Sequence, residues 1–142
     1  HRVPENFNWP ILRENIRKYW ECWHMSLSSW AMRTIYMPTV FATRSRYIPL
    51  FVTFIAIGAW HSPGFPWLLW GIHQGCGLTV VTWLDDRRTG TAHPVWVRYG
   101  RPVRIFVTLC FASLAHSFII FYDTEMALSV YLRSWSLLVG NW

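Results

Sequence analysis

Between Arg46 and Asp85 lie 38 consecutive positions without an Asp, Glu, Lys or Arg. The turn-forming run SPGFP, Ser62–Pro66, divides them into two apolar arms, Tyr47–His61 and Trp67–Leu84. A spanning helix needs ~20 apolar residues, fewer where the bilayer thins. The pattern therefore predicts a tight helical hairpin in a membrane, each arm slightly short. Upstream, Leu12, Ile16, Tyr19/Trp20, Trp23, Leu27 and Trp30 recur every three or four positions, a helical period, over Asn6–Pro38. Pro10 suits a first helical turn, with Glu14 near the positive end of the dipole. Arg13, Arg17, Lys18 and Glu21 occupy the other side, with Arg17 and Glu21 spaced as an i,i+4 pair. A helix of that kind lies in the membrane interface. It leads into the bilayer at HMSLSSW, and Pro38 ends or bends it.

Downstream, a basic connector, Thr39–Arg46, enters the hairpin and a polar loop, Asp85–Arg104, leaves it. A third span is predicted over Ile105–Tyr122, leading out to Asp123 and Glu125. Met126–Trp142, interrupted by Arg133, reads as an interfacial helix or the start of another span. The predicted fold class is all-α: a polytopic membrane helical bundle in which residues 1–142 belong to one transmembrane domain.

Composition sharpens this picture. The chain is 53% hydrophobic, only 14% charged, and contains 11 Trp. Soluble domains carry ~25% charge, and tryptophan is enriched at membrane interfaces. The net charge of +6 does not point to nucleic acid, because the arginines flank apolar arms instead of forming a basic face. A single turn puts Arg44 and Arg46 on the same side as Arg87, Arg88, Arg98, Arg101 and Arg104, and the positive-inside rule makes that side cytoplasmic. Cys22, Cys76 and Cys110 are odd in number and follow no metal or disulfide spacing. The chain opens on His1 without a signal-peptide pattern and stops on an apolar stretch, so the expectation is the C-terminal part of a longer membrane protein.

Chemistry concentrates in Gly58–Gly77. His73 lies about seven residues into the second arm, roughly 10 Å below the turn. An ionisable group at that depth is costly and marks a functional candidate, either a general base or a metal ligand. The plainer reading is a histidine that hydrogen-bonds a neighbouring helix. Gly71 and Gly75 form a GxxxG pair that admits close backbone approach, with Gly77 extending the small surface. His24, with Ser28 one turn on, reads either as a second polar group facing the same cavity or as an interfacial histidine among tryptophans. His61 suits a structural bond at the turn, His116 suits packing in the third span, and His93 suits a solvated loop. Asp85 and Asp86, beside Arg87 and Arg88, read as solvated loop carboxylates. There is no nucleophile elbow, phosphate-binding Gly loop or HExxH, and no three histidines have metal spacing.

NFNWP…IRKYWECWHMSLSSW…IYMP followed by GAWHS…WLLWGIHQG resembles the C-terminal half of a membrane-bound O-acyltransferase. It is most similar to the bacterial branch that acetylates alginate and other exopolysaccharides, and also similar to the branch that D-alanylates teichoic acids. The resemblance covers Asn6–Gly77 well and the remainder only by hydropathy. It implies a many-helix bundle with a central tunnel, an essential histidine at His73, a second at His24, and the turn histidine at His61. It further implies an activated acyl donor on the cytoplasmic side, hydroxyl acceptors outside, and accessory acylation proteins. The chain departs from the family's pattern with Ser62 after His61, where glycine is common, and with no acidic residue in Ala31–Tyr36.

Acyl transfer from a thioester to a hydroxyl needs a base for the hydroxyl proton and donors for the developing oxyanion. A base must start neutral, and burial favours the uncharged imidazole. His73 is the expected base, with His24 supporting or positioning the acceptor, and Ser26, Ser28 or Gln74 as candidate oxyanion donors. No metal or bound cofactor is expected. The donor, such as acetyl-CoA or an acyl-carrier thioester, is a substrate. The expected partners are the bilayer, upstream helices of the same protein and extracytoplasmic polysaccharide-acylation proteins, with no nucleic acid; the expected location is the inner or plasma membrane. Two other classes fit the same features: a transporter or channel segment with His73 on a polar path, and a non-catalytic scaffold for an extracellular acyltransferase.

Overall fold

In the computed structural model, residues 3–87, 94–121 and 124–140 are described, with only the backbone of 94–99. His93 and Arg88 in the loop, Asp123 and the terminal Trp142 lie outside the described residues. All regular structure among the described residues is helical. The helices are α1 (Ile16–Cys22), α2 (Met25–Ala31), α3 (Met37–Thr43), α4 (Ile48–His61), α5 (Phe65–Arg87), α6 (Pro94–Leu114), α7 (His116–Ile120) and α8 (Thr124–Val139).

The hairpin is α4 and α5. Its turn is tighter than SPGFP suggests: Phe65 and Pro66 already belong to α5, since a proline in the first helical turn forfeits no hydrogen bond. Gly71 and Gly75 face α4. A Cβ on Gly71 would stand 2.7 Å from the Phe54 carbonyl oxygen, and one on Gly75 would stand 2.7 Å from the Phe51 ring. Gly77 does not extend that face. Its open side is covered by the Phe111 ring of α6 instead.

The second arm is also longer than the charge-free run. α5 continues to Arg87 because its last turn is anchored by arginines from elsewhere. Arg17 of α1 holds Asp85 at 2.8 Å and Thr82 at 2.9 Å, while Arg46 pairs with Asp86. Asp85 and Asp86 are therefore exposed carboxylates, as expected, but they are paired and helical and do not belong to a loop. Arg17 spans helices in place of an intrahelical pair with Glu21. Glu14 binds Arg104 at 3.0 Å and Arg101 at 3.5 Å, bringing α6 to the same end. Among the described residues, Arg17, Arg46, Arg101 and Arg104 thus gather at the end opposite the turn. Each partly exposed pair is worth about 0–1 kcal/mol, so the cluster orients the helices more than it stabilises them.

The periodic stretch from Asn6 to Pro38 is not one helix. Pro10 opens a short 3-10 turn, Pro10–Leu12, and α1 begins only at Ile16, where Asn15 caps it by accepting from Lys18 N–H at 2.8 Å. The chain breaks again at Trp23–His24, with His24 at φ 47°. Asn6 stabilises that break: its side-chain oxygen accepts from the backbone N–H and the hydroxyl of Ser26, both at 2.9 Å. Pro38 neither ends nor sharply breaks the next segment. The preceding turn, Met32–Tyr36, widens to a π-helix and carries the chain through the missing proline N–H.

The third span also begins earlier and is broken. α6 starts at Pro94, and the helix interrupts at Ala115 before α7. Gly100–Ile120 is long and apolar enough to cross a membrane. α8 folds back against α5 and α7. Phe54, Ile57, Trp70, Leu78, Ala112, Ala115, Phe118 and Ala127 form much of the core, while Phe41, Val80, Val103, Phe106 and Leu137 stand exposed. An apolar exterior on this scale fits lipid contact.

Candidate active site

His73 sits in the middle of α5, 7% exposed, with both ring nitrogens engaged. Its Nε2 lies 3.0 Å from the Phe111 carbonyl oxygen in the last turn of α6. A carbonyl only accepts, so Nε2 carries a proton. In the neutral ring Nδ1 then holds the lone pair, and the Tyr131 hydroxyl of α8 donates to it at 2.8 Å. The Phe111 ring stacks on the imidazole, with centroids 4.0 Å apart and planes at 19°, and Tyr131 meets it edge-on at 88°. Three helices thus fix one tautomer and one orientation.

The neighbouring residue points the other way. Gln74, 1% exposed, accepts the Trp20 indole N–H on its Oε1 at 3.2 Å. Trp20 also packs edge-on against Phe54 and Trp70. It forms part of the wall of a cavity of about 350 Å³ that also meets His24, Ser28 and Thr53. Along α4 this cavity touches Leu50, Thr53, Phe54 and Ile57, one helical face about 10 Å long, and Arg46 meets it just before the helix begins. It therefore runs from the arginine-rich end toward the turn. Thr53, 7% exposed, has a buried hydroxyl with no hydrogen-bond partner among the described residues. A larger cleft of about 810 Å³ lies between α1, α5 and α6, with Cys76, Gly77, Thr108 and Phe111 in its wall.

His24 does not face a cavity shared with His73. Its Nδ1 lies 3.2 Å from the Asn6 amide nitrogen, its ring packs on Phe7, and it lines the smaller cavity. Trp20, which donates to Gln74, bounds that cavity, whereas His73 turns to α6 and α8. His61, exposed at the turn, stacks on Trp67 at 4.5 Å and 13°. His116 donates its Nδ1–H to the Ala112 carbonyl oxygen at 3.0 Å, a backbone contact within its own helical segment.

Two of the candidate oxyanion donors are already spent. The Ser28 hydroxyl donates to the Trp20 and Trp23 carbonyls at 3.0 and 3.1 Å, closing the break between α1 and α2. The Ser26 hydroxyl donates to Asn6. Gln74 keeps its amide nitrogen as a donor end, because its oxygen is the atom that Trp20 takes. Sequence reasoning missed Tyr131, Phe111, Trp20 and Asn6. A phenol within the otherwise apolar run MALSVYL was the one available signal for Tyr131. The Phe111 contact is a backbone carbonyl and leaves no trace in residue type.

The family model described as MBOAT, membrane-bound O-acyltransferase family, matches residues 2–124. The chain belongs to this family. The matched stretch includes His24, His61 and His73 and ends before Tyr131. Relatives include the probable alginate O-acetylase AlgI of Pseudomonas aeruginosa, 34% identical over 82 residues, 56% of this chain and 16% of that protein. The teichoic acid D-alanyltransferase of Bacillus subtilis is 30% identical over 94 residues, 59% of this chain and 24% of its own length. A peptidoglycan O-acetyltransferase of Helicobacter pylori is 32% identical over 83 residues, 56% of this chain and 16% of that protein. The aligned part thus spans a quarter or less of each of these relatives. Relatives named for different acyl groups are similar to the chain to nearly the same degree.

Proposed function

We propose that this chain is the histidine-bearing part of a multi-pass membrane O-acyltransferase of the inner or plasma membrane. It moves an acyl group, acetyl in the first instance, from an activated donor on the cytoplasmic side to hydroxyls of an extracytoplasmic polysaccharide. The donor is a thioester such as acetyl-CoA or an acyl-carrier conjugate. Accessory acylation proteins outside the membrane complete the delivery. The orientation follows from the arginine cluster around Asp85 and Asp86, which the positive-inside rule assigns to the cytoplasm. Arg17 and Arg46 stand at that end of the smaller cavity, where an anionic donor would approach, and His24 lines the same cavity nearer the turn.

The observation that carries this reading is the state of His73. A neutral ring, protonated on Nε2 by its bond to the Phe111 carbonyl, holds its basic lone pair at Nδ1. The acceptor hydroxyl attacks the acyl carbonyl carbon as its proton moves toward that lone pair. The imidazolium that forms keeps its Nε2–H on the Phe111 carbonyl, which stabilises the positive charge. The thiolate then leaves and recovers a proton from the ring.

The test is the amount of ester-linked acid released by mild base from the envelope of cells expressing the protein, at membrane levels matched by blot. His73→Ala should abolish release of one acid, whose identity as acetate or D-alanine names the acyl group. Undiminished release from a well-inserted His73→Ala protein would remove His73 from the chemistry.

A further inference from the structure

We propose that the larger cleft, between α1, α5 and α6, binds an anionic phospholipid from the leaflet on the arginine-rich side. This needs only that the chain sits in a bilayer, as its membrane-bound family does, and no choice of catalytic base. The cleft, about 810 Å³, is apolar along its length and ionic at one end. Val80, Val81 and Leu84 of α5 and Val103 and Val107 of α6 form the apolar wall, and all but Val81 stand exposed. Phe111, Gly77 and Cys76 stand at the inner end. From Cys76 to Asp85 along α5, and from Val103 to Phe111 along α6, the cleft is about 12–14 Å long. One leaflet of a ~30 Å hydrocarbon core is about 15 Å deep, so the cleft runs for most of the depth of an acyl chain.

The other end of the cleft is lined by Glu14, Lys18, Asp85 and Arg104. Glu14 is shared between Arg104 at 3.0 Å and Arg101 at 3.5 Å, and Asp85 is held by Arg17 at 2.8 Å. Lys18 has no side-chain partner among the described residues; its backbone N–H alone is bound, by the Asn15 cap. Four cations thus meet two carboxylates, and the rim keeps an excess of positive charge. Basic pockets between helices at a membrane surface hold anionic headgroups. An apolar helix would cover the wall and leave the surplus charge unmatched. A lipid with a phosphodiester and no compensating ammonium answers both.

Occupation of the cleft bears on α1. Ile16 and Lys18 of that helix line the cleft, while Arg17, Trp20 and Glu21 line the smaller cavity. With seven residues, α1 is too short to hold its helix unaided. A lipid behind it supports the wall that the smaller cavity is built on.

The test is native mass spectrometry of the purified protein released from nanodiscs of phosphatidylcholine and phosphatidylglycerol in equal amounts, with melts in discs of each lipid alone. The wild type should retain phosphatidylglycerol in preference to phosphatidylcholine and melt higher in it. Lys18→Gln removes the unpartnered cation and should weaken retention about fivefold, the effect of one basic side chain near an anionic surface. Val107→Trp fills the cleft from an exposed position and should abolish the preference while melting like wild type in phosphatidylcholine. Glycerol phosphate added to phosphatidylcholine discs should leave the melt unchanged, since it lacks the chains. A rise there reassigns the rim to a free anion and overturns the lipid site. Equal retention of both lipids, or a preference that neither variant alters, overturns it as well. No retained lipid, with an early melt of Val107→Trp in every disc, means that a further helix or a second copy fills the cleft, and the lipid site falls. Where Val107→Trp melts early but the wild type still selects phosphatidylglycerol, Lys18→Gln decides: weaker retention supports the site and unchanged retention overturns it.

Discussion

Trp20 donates its indole N–H to Gln74, a residue 54 positions away and immediately next to His73, at 3.2 Å. The bond fastens α1 to the middle of α5. Gln74 is 1% exposed, so its amide has no water to fall back on. Replacing Trp20 by Phe should leave Oε1 unsatisfied and destabilise the protein by about 1–3 kcal/mol. A thermal melt of the detergent-solubilised protein measures this. The same variant should lose acyl release, because an untethered Gln74 no longer holds the backbone on which His73 stands. A melt indistinguishable from wild type would show that the bond carries no net stability.

The glycines of the hairpin make a sharper prediction. A Cβ at Gly71 would meet the α4 backbone at 2.7 Å, whereas a Cβ at Gly64 would meet its nearest neighbour at 3.6 Å. Backbone cannot give as a side chain can. Gly71→Ala should therefore cost about 1–3 kcal/mol by forcing α4 and α5 apart, and Gly64→Ala should be close to neutral. Comparing the two melting temperatures tests whether the helices approach as closely as described.

The hairpin, the clustering of arginines at one end and the placement of His73 inside α5 were all legible in the sequence. A 38-residue run without acidic or basic side chains has few other solutions. The GxxxG spacing likewise named the face that α4 covers. What could not be read were the breaks and the distant bonds. His24 at φ 47° interrupts a pattern whose apolar period continues without fault, because Asn6 supplies the hydrogen bonds that make the break stable. Asp85 and Asp86 looked like a loop since charge normally ends an apolar helix. They stay helical because Arg17 and Arg46 reach them from other helices. His73 met Tyr131 across 58 positions, a consequence of where α8 docks and of nothing local.

Asn6 is expected to matter more than its place in an irregular segment suggests. It bonds the backbone and hydroxyl of Ser26 and stands 3.2 Å from His24 Nδ1. Asn6→Ala removes all three contacts and frees the start of α2, at a cost of about 1–2 kcal/mol typical of a lost helix cap. Asn6→Asp keeps the acceptor for Ser26 but cannot donate to His24. If His24 supports the reaction through its orientation, Asn6→Asp should retain stability and lose acyl release. Equal activity in Asn6→Asp and wild type would detach that contact from function.

Arg17 and Asp85 tie α1 to the end of α5 opposite the turn at 2.8 Å, with the two side chains 39% and 41% exposed. Pairs this open contribute little on their own, about 0–1 kcal/mol, and are weakened by salt. Arg17 also donates to Thr82, so Arg17→Ala loses two partners whereas Asp85→Ala loses one. The Arg17→Ala variant should accordingly be the less stable of the two, by under about 1 kcal/mol, and the double variant should resemble Arg17→Ala alone. A double-mutant cycle on melting in low and high salt measures the coupling directly. Coupling that survives high salt undiminished would mean that the pair is shielded from water, placing this end of α1 deeper than its exposure suggests. In that case Arg17 would be unavailable to an incoming anionic donor, and Arg46, 63% exposed, would be left as the cation at the mouth of the smaller cavity.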